Sequence, residues 1–288
     1  MSQVAITALF ALSLDGTFGY AGIVSLGHAA FFGIGAYAAG LVAGHGVGDP
    51  LPGLAVAAVV AAAVGFATSF LVLRGADLLR LRVTLGVAFM LCEAANTLTR
   101  ITGGVDGLHG IAMAPLFDRF TFNMVGKAAC VYSVSVLFLL FWVARRIVHS
   151  PFGLSLQRIR LNAFCMPALG TPVNARRVAV YTLGAACAGV AGALLTQTTQ
   201  FVSIDVLSFS RSAERRLILV LGGAGSLYGA MLGAFVFMMG HHLLSGLNPQ
   251  YWQFWPGLIL TFVVLFARDG IMGALRALAQ RFGSGAQP

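Results

Sequence analysis

Ser25 and His28 stand inside the run Gly22-Ile-Val-Ser-Leu-Gly-His-Ala-Ala-Phe-Phe-Gly-Ile-Gly-Ala-Tyr37, which is apolar enough for a lipid bilayer yet carries Gly22, Gly27, Gly33 and Gly35. Glycine weakens a helix but lets backbones or ligands approach closely. A span built this way is packed against other spans or broken around something that it handles. His28 either lines a pathway or fixes a break in the second span, or it is a neutral imidazole bonded to a nearby carbonyl; the two readings weigh equally. Ionisable residues inside apolar runs are costly and point to function by default. Asp15 lies well inside the first run, where pairing with Thr17, or a protonated state at a kink beside Gly16, is the favoured account. Glu93, with Asn96 one turn later, reads best as an interhelical hydrogen bond. Arg215 and Arg216 follow Glu214 at the start of a later run. As an exposed pair at a membrane boundary they can snorkel, with Glu214 offsetting one charge.

Other chemistries are missing from the chain. A phosphate-cradling loop needs G-x-x-x-x-G-K-[ST]; Gly126-Lys127 is followed by Ala128, and Thr121 stands where the first glycine must be. There is no H-E-x-x-H or G-x-S-x-G motif and no carboxylate pair with hydrolytic spacing. His241 and His242 are adjacent, so they point to different faces of a helix. Cys92, Cys130, Cys165 and Cys187 are far apart and predict neither a disulfide framework nor a zinc site. Enzyme is the weakest class, and no cofactor or metal is expected.

The elements that must position these residues are membrane spans. The chain of 288 residues is 58% hydrophobic and only 9% charged, with a mean hydropathy of +0.88. Soluble domains carry roughly 25% charged residues. The net charge of +9 comes almost wholly from Arg placed between apolar runs, with Lys127 the one lysine. That is a topology signal rather than a nucleic-acid stripe. The runs are 4–22, 26–44, 52–73, 82–99, 128–147, 178–197, 215–228, 229–246 and 253–268, several near the ~20 residues that cross a bilayer. The short run 215–228 reads as a half-span or re-entrant piece. The fold class is therefore all-α, a polytopic helical membrane protein of eight or nine transmembrane helices forming a single domain over 1–288.

Loop 145–177 carries Arg145, Arg146, Arg158, Arg160, Arg176 and Arg177 without an acid, so it faces the cytoplasm. Loop 74–82 and the tail 269–288 follow it, while loops 45–51 and 100–127 face outward. Nine crossings place the N-terminus outside and the C-terminus inside. The first residues lack the basic region and cleavage site of a signal peptide and read as the first span. Gly225, Gly229 and Gly233 fall on one helix face, and so do Gly184, Ala188 and Gly192, with Ala185, Gly189 and Ala193 beside them; such rows are packing seams. Within the cytoplasmic loop, about 148–176, no Pro or Gly interrupts 154–166. A short helix is expected there, closed by Pro167 and Gly170. Its exposed Leu154, Ile159, Leu161 and Phe164, mixed with Arg158 and Arg160, fit a protein partner or the inner membrane surface equally well.

These residues together resemble a known family, the LivM-like membrane permease subunits of ABC importers for branched-chain amino acids, which include urea and short-amide permeases. The run Gly22–Tyr37 is similar to its Ser-Leu-Gly-His-Ala-Ala-Phe signature. Ile101-Thr-Gly-Gly-Val-Asp-Gly-Leu108 resembles its outer-loop motif. Ser150-Pro-Phe-Gly with Ile159-Arg160 and Ala168-Leu-Gly170 resembles its cytoplasmic loop, and Leu221-Gly-Gly-Ala-Gly-Ser-Leu-Tyr-Gly-Ala230 its Gly-Gly-x-Gly segment. The resemblance implies that the loop is a coupling helix docking on a separate cytoplasmic ATPase subunit, with Phe152, Gly153, Arg158, Arg160, Asn162 and Phe164 on the coupling surface. It implies a heterodimer with a second, related permease subunit and a periplasmic solute-binding protein as donor, in the bacterial inner membrane. Ser25, Gly27, His28, Gly222, Gly223, Gly225 and Gly229 are the candidates for the pathway or its packing. The chain departs from the family in four places. Leu161 and Ala163 stand where acids are usual. Phe164, Cys165 and Pro167 replace polar or basic residues, Arg215-Arg216 replaces apolar ones, and the chain starts later than many relatives.

The reading is a permease subunit for a branched-chain or related amino acid, powered by its partner. Alternatives are a urea or short-amide permease, a self-contained secondary transporter or channel, and a non-transporting scaffold. A secondary transporter needs midplane carboxylates and inverted repeats; only Asp15 and Glu93 lie deep in spans, and no internal repeat is evident.

Overall fold

Each apolar run up to residue 246 becomes a helix. The computed structural model describes residues 1–46, 48–75, 77–111, 127–247, 257–258 and 270–273. Helix α1 (Ser2–Leu14) continues through a π-helical turn, Asp15–Tyr20. A non-helical stretch to Gly27 separates it from α2 (His28–Gly44). Then come α3 (Pro50–Val72), α4 (Asp77–Thr97), the short α5 (Thr99–Thr102), α6 (Lys127–Val148), α7 (Pro151–Leu161), α8 (Val173–Thr199), α9 (Phe209–Gly222) and α10 (Leu227–Leu247). Among the described residues there is no β-strand, only one antiparallel bridge between Leu108 and Val202. The run 253–268 and the tail lie outside the described residues but for Leu258 and 270–273.

Pro50–Val72, Ala128–Val148 and Val173–Thr199 are long and apolar enough to cross a membrane. The pair α9 and Leu227–Leu243 adds a fourth if it is counted as one span, bent by 115° at its break. Helix α2 is apolar but shorter. Their burial differs sharply: 61% of the span window of α8 is buried, against 28% for α3 and α6. So α8 is central, while α3 and α6 turn Val59, Phe66, Phe70, Phe138 and Leu139 outward. An apolar outer face suits lipid, where nothing drives those side chains inward.

Small residues let α8 sit at the centre. It packs most extensively against α2 and α3. A Cβ at Gly35 would fall on the backbone of Gly189, one at Gly189 on Ala61 and Ala57, and one at Gly192 on the Phe32 carbonyl. The α8 row is thus a seam shared between two neighbours. The second glycine row divides differently. Gly229 and Gly233 pack on Gly222 of α9, but Gly225 lies in the break with φ +88° and is on neither helix. It does not share a face with Gly229 and Gly233, because the chain reverses between them.

Helix α7 starts earlier and stops earlier than the pattern predicts. Ser150 caps it, accepting from the Gly153 N–H at 3.4 Å, with Pro151 in the first turn. It ends at Leu161 rather than near Met166. Asn162 takes extended backbone, and its side-chain oxygen accepts from the N–H of Phe164 (3.1 Å) and Cys165 (3.4 Å), competing with the next helical turn. Ile159 and Leu156 are buried, so the apolar surface of the segment is smaller than expected and rests on Leu154, Leu161 and Phe164.

Candidate functional site

Most of the chemistry anticipated from the glycine-rich run gathers where α1 stops being α-helical. A π-turn has one extra residue per turn and often marks a functional position. Here it starts with Asp15, which is completely buried. Its Oδ1 accepts the backbone N–H of Gly225 at 2.6 Å, in the break between α9 and α10. Thr17, the expected partner, instead donates its hydroxyl to the Leu14 carbonyl (3.0 Å). Asp15 therefore stitches two segments 210 residues apart, and the left-handed backbone at Gly225 presents that N–H inward.

Two arginines clasp the same region. Arg160 reaches in from α7, and its guanidinium Nη1 donates to the Gly19 carbonyl inside the π-turn. Its aliphatic stem lies over Gly22, where a Cβ would come within 3.0 Å of it. Arg216 reaches in from α9, donates through Nη2 to the Ser25 carbonyl, and sits 5.9 Å from the Phe18 ring. A charged donor on a partly buried carbonyl contributes about 1.5–3 kcal/mol. The loop from Gly22 to Gly27 cannot satisfy its own backbone, so neighbours do it. Thr84 Oγ1 accepts from Leu26 N–H (3.2 Å), and Ser212 Oγ accepts from Ala29 N–H (3.0 Å). Non-helical backbone at such depth is tolerated only when protein covers it in this way.

His28 opens α2 and is 1% exposed. Its ring packs between Phe10 (centroids 5.8 Å) and Phe31 (5.7 Å, edge-on), with the backbone of Gly184 on α8 as its polar neighbour. The expected carbonyl partner is the Gly184 backbone, and the imidazole also serves as an aromatic wedge. Gly27 precedes it, and a Cβ there would strike the Thr84 carbonyl.

The remaining predicted residues split into two groups. Gly222, Gly223, Gly225 and Gly229 close the α9–α10 turn beside Asp15 and Arg160. Arg158, Asn162 and Phe164 point outward from α7, Phe164 being 96% exposed. Phe152 is half-buried beneath Arg176, whose guanidinium carbon lies 5.2 Å from the ring, and Gly153 lies against the end of α6. Two further expectations are corrected. Arg215 and Arg216 are not an exposed snorkelling pair; both turn inward, Arg215 donating to Thr7 Oγ1 at 2.9 Å. Glu93 makes no interhelical bond among the described residues and stands exposed on α4. The members of the clasp that sequence reasoning missed are Gly19, Thr84 and Ser212. The one legible hint was the charge of Arg216 in a run otherwise apolar.

The family described as branched-chain amino acid transport system, permease component, matches residues 1–264. The chain is 29% identical over 294 residues to the high-affinity branched-chain amino acid transport system permease protein LivM of Escherichia coli (strain K12), covering 93% of this chain and 68% of the relative. The LivM protein of Salmonella typhimurium (strain LT2) aligns with the same identity and coverage. No solved structure matches the chain.

Proposed function

We infer the function from one premise: the chain belongs to the branched-chain amino acid transport system permease family, whose members are membrane subunits of ABC importers. On that premise the chain is the multi-pass inner-membrane subunit through which a branched-chain or related amino acid passes by alternating access. The energy comes from a separate ATPase subunit on the cytoplasmic side. A second permease subunit completes the membrane unit, and a periplasmic binding protein delivers the solute. The chain acts as one domain with the end bearing α7 in the cytoplasm. Helices α1 with its π-turn, α2, α3, α4, α6, α8, α9 and α10 lie in the membrane. The run 253–268 makes nine crossings, with the N-terminus outside and the tail inside.

One observation carries this reading. Helix α7 presents Arg158 and Leu161 outward, with Phe164 exposed in the turn after it, while Arg160 is tied inward to Gly19, next to the broken α9–α10 pair. A helix exposed on one side and bonded to the core on the other can pass a push from a docked ATPase to the spans. Arg158 and Phe164 are the docking residues in this reading, and Arg160 is the link. The test is co-purification of the ATPase subunit with the Phe164→Glu and Arg158→Glu variants. Recovery of the ATPase falls sharply in both; undiminished recovery with full ATP-driven uptake would remove α7 as the docking helix.

A further inference from the structure

We propose that the cavity enclosed by α1, α2, α8, α9 and α10 is a binding site for a zwitterionic α-amino acid with an apolar side chain, its carboxylate on Arg215 and its ammonium on Glu214. The inference rests on the permease reading and gives that reading a place for its solute.

The cavity has a volume of about 220 Å³. That is below the ~300–1,000 Å³ of pockets for drug-sized ligands and suits a single small metabolite. Its walls are two kinds of surface. Phe10, Phe32, Leu195 and Val206 form an apolar side, while Thr7, Arg211, Glu214 and Arg215 form a charged one. Both signs of charge inside one apolar chamber match a molecule that carries both charges and an apolar body.

The ionic groups are unevenly satisfied. Arg211 already holds the Asp205 carboxylate at 2.9 Å. Glu214 faces the Nη1 of Arg211 at 3.8 Å and acts electrostatically on the neighbouring Arg215, and its side chain is 26% exposed. Arg215 donates to the neutral Thr7 hydroxyl, and no carboxylate lies within ion-pair distance of it among the described residues. A sheltered guanidinium facing only a hydroxyl is costly, and its planar fork is shaped to take a carboxylate in two parallel hydrogen bonds. A neutral amide would bring no counter-charge to either group, while Phe10, Phe32 and Val206 offer packing to an apolar ligand body. The cavity lies at the end of the bundle away from α7, beside Val206 in the segment that follows α8. In the proposed topology that end faces the incoming solute.

The test uses the full-length chain in lipid nanodiscs and three probes in calorimetry: L-leucine, isovalerate (no ammonium) and isoamylamine (no carboxylate). L-leucine is expected to bind saturably. Arg215→Gln weakens leucine and isovalerate by roughly tenfold or more, the worth of a charge-assisted hydrogen bond, and leaves isoamylamine unchanged. Glu214→Gln weakens leucine and isoamylamine but not isovalerate. Val206→Trp fills the chamber and removes leucine binding. It decides the matter, with Arg215→Lys, if Arg215→Gln elutes as aggregate. Absence of leucine binding to the native chain, or binding unmoved by both Arg215→Gln and Val206→Trp, overturns the site and leaves Arg215 as a strut from α9 to α1. ATP-driven amino-acid uptake by the complete native assembly separates the two levels. Uptake with unmoved binding sinks the cavity alone. Leucine binding without uptake of any amino acid sinks the permease reading and leaves the cavity standing.

Discussion

Asp15 and Gly225 are joined by a 2.6 Å hydrogen bond in which a wholly buried carboxylate takes a main-chain N–H from the turn between two half-length helices. The acid of the first helix thus holds the last break of the described chain in place. Its second oxygen, Oδ2, finds no partner. Loss of Oδ1 would leave the Gly225 N–H without its acceptor at a half-buried position.

Asp15→Leu is expected to destabilise the protein by about 1–3 kcal/mol, the cost of a buried unsatisfied group. Asp15→Asn keeps an acceptor oxygen and should retain most of the stability. Thermal unfolding in detergent measures both. Equal melting temperatures for native protein and Asp15→Leu would show that the bond contributes nothing.

Gly35→Ala places a methyl on the backbone of Gly189, where neither helix can yield. Overpacking of this kind costs about 1–3 kcal/mol. Gly44→Ala, in the same helix but with nothing within 4 Å, is the matched control. It should be neutral or stabilising by up to ~1 kcal/mol. The monodisperse yield after heating is the readout, and a Gly35 variant as robust as the Gly44 variant would contradict the seam between α2 and α8.

Arg160 and Phe164 should fail in different ways. Phe164→Ala removes an exposed aromatic of the kind that anchors interfaces, so ATPase binding drops by tenfold or more. Arg160→Met keeps the stem over Gly22 and deletes the bond to Gly19. It should leave ATPase binding within about twofold and reduce solute-stimulated hydrolysis. Binding assays and hydrolysis rates on one set of membranes separate the two. Identical behaviour of both variants would argue that α7 works as a docking surface alone.

His28 packs through its ring between two aromatics and has the Gly184 backbone as its one polar neighbour among the described residues. His28→Phe should therefore keep uptake near the native rate, since wedge shape is preserved between Phe10 and Phe31. His28→Ala should destabilise the protein by about the 2–5 kcal/mol of a core truncation, read as a lower melting temperature. Abolished uptake in a stable His28→Phe variant would instead give the imidazole a chemical role.

Much of this architecture is legible in the chain alone, because spans announce themselves through apolar runs and glycine rows through helical spacing. The break after Gly22, the short run before Gly229 and the α8 seam are all visible that way. The partners of polar groups are not. Asp15 bonds to a main-chain N–H, and Arg160 and Arg216 bond to carbonyls; every residue but proline offers those groups, so no residue type marks the receiving end. Local pairing with Thr17 was the natural expectation for Asp15, and a partner 210 residues away displaced it. The end of α7 was misplaced for a related reason: Asn162 stops the helix with its own side chain, without a glycine or proline to flag it. Arg215 and Arg216 look like boundary charges until α1 and the Ser25 carbonyl are placed beside them.

That Arg216 grips Ser25 by its carbonyl oxygen has an evolutionary corollary. The grip is made on the main chain at position 25, so the clamp depends on a single guanidinium rather than on a matched pair of side chains. A relative lacking an arginine there would have to steady its own first loop by different means. Transplanting that one cation would be the smallest graft able to carry the fastening between lineages.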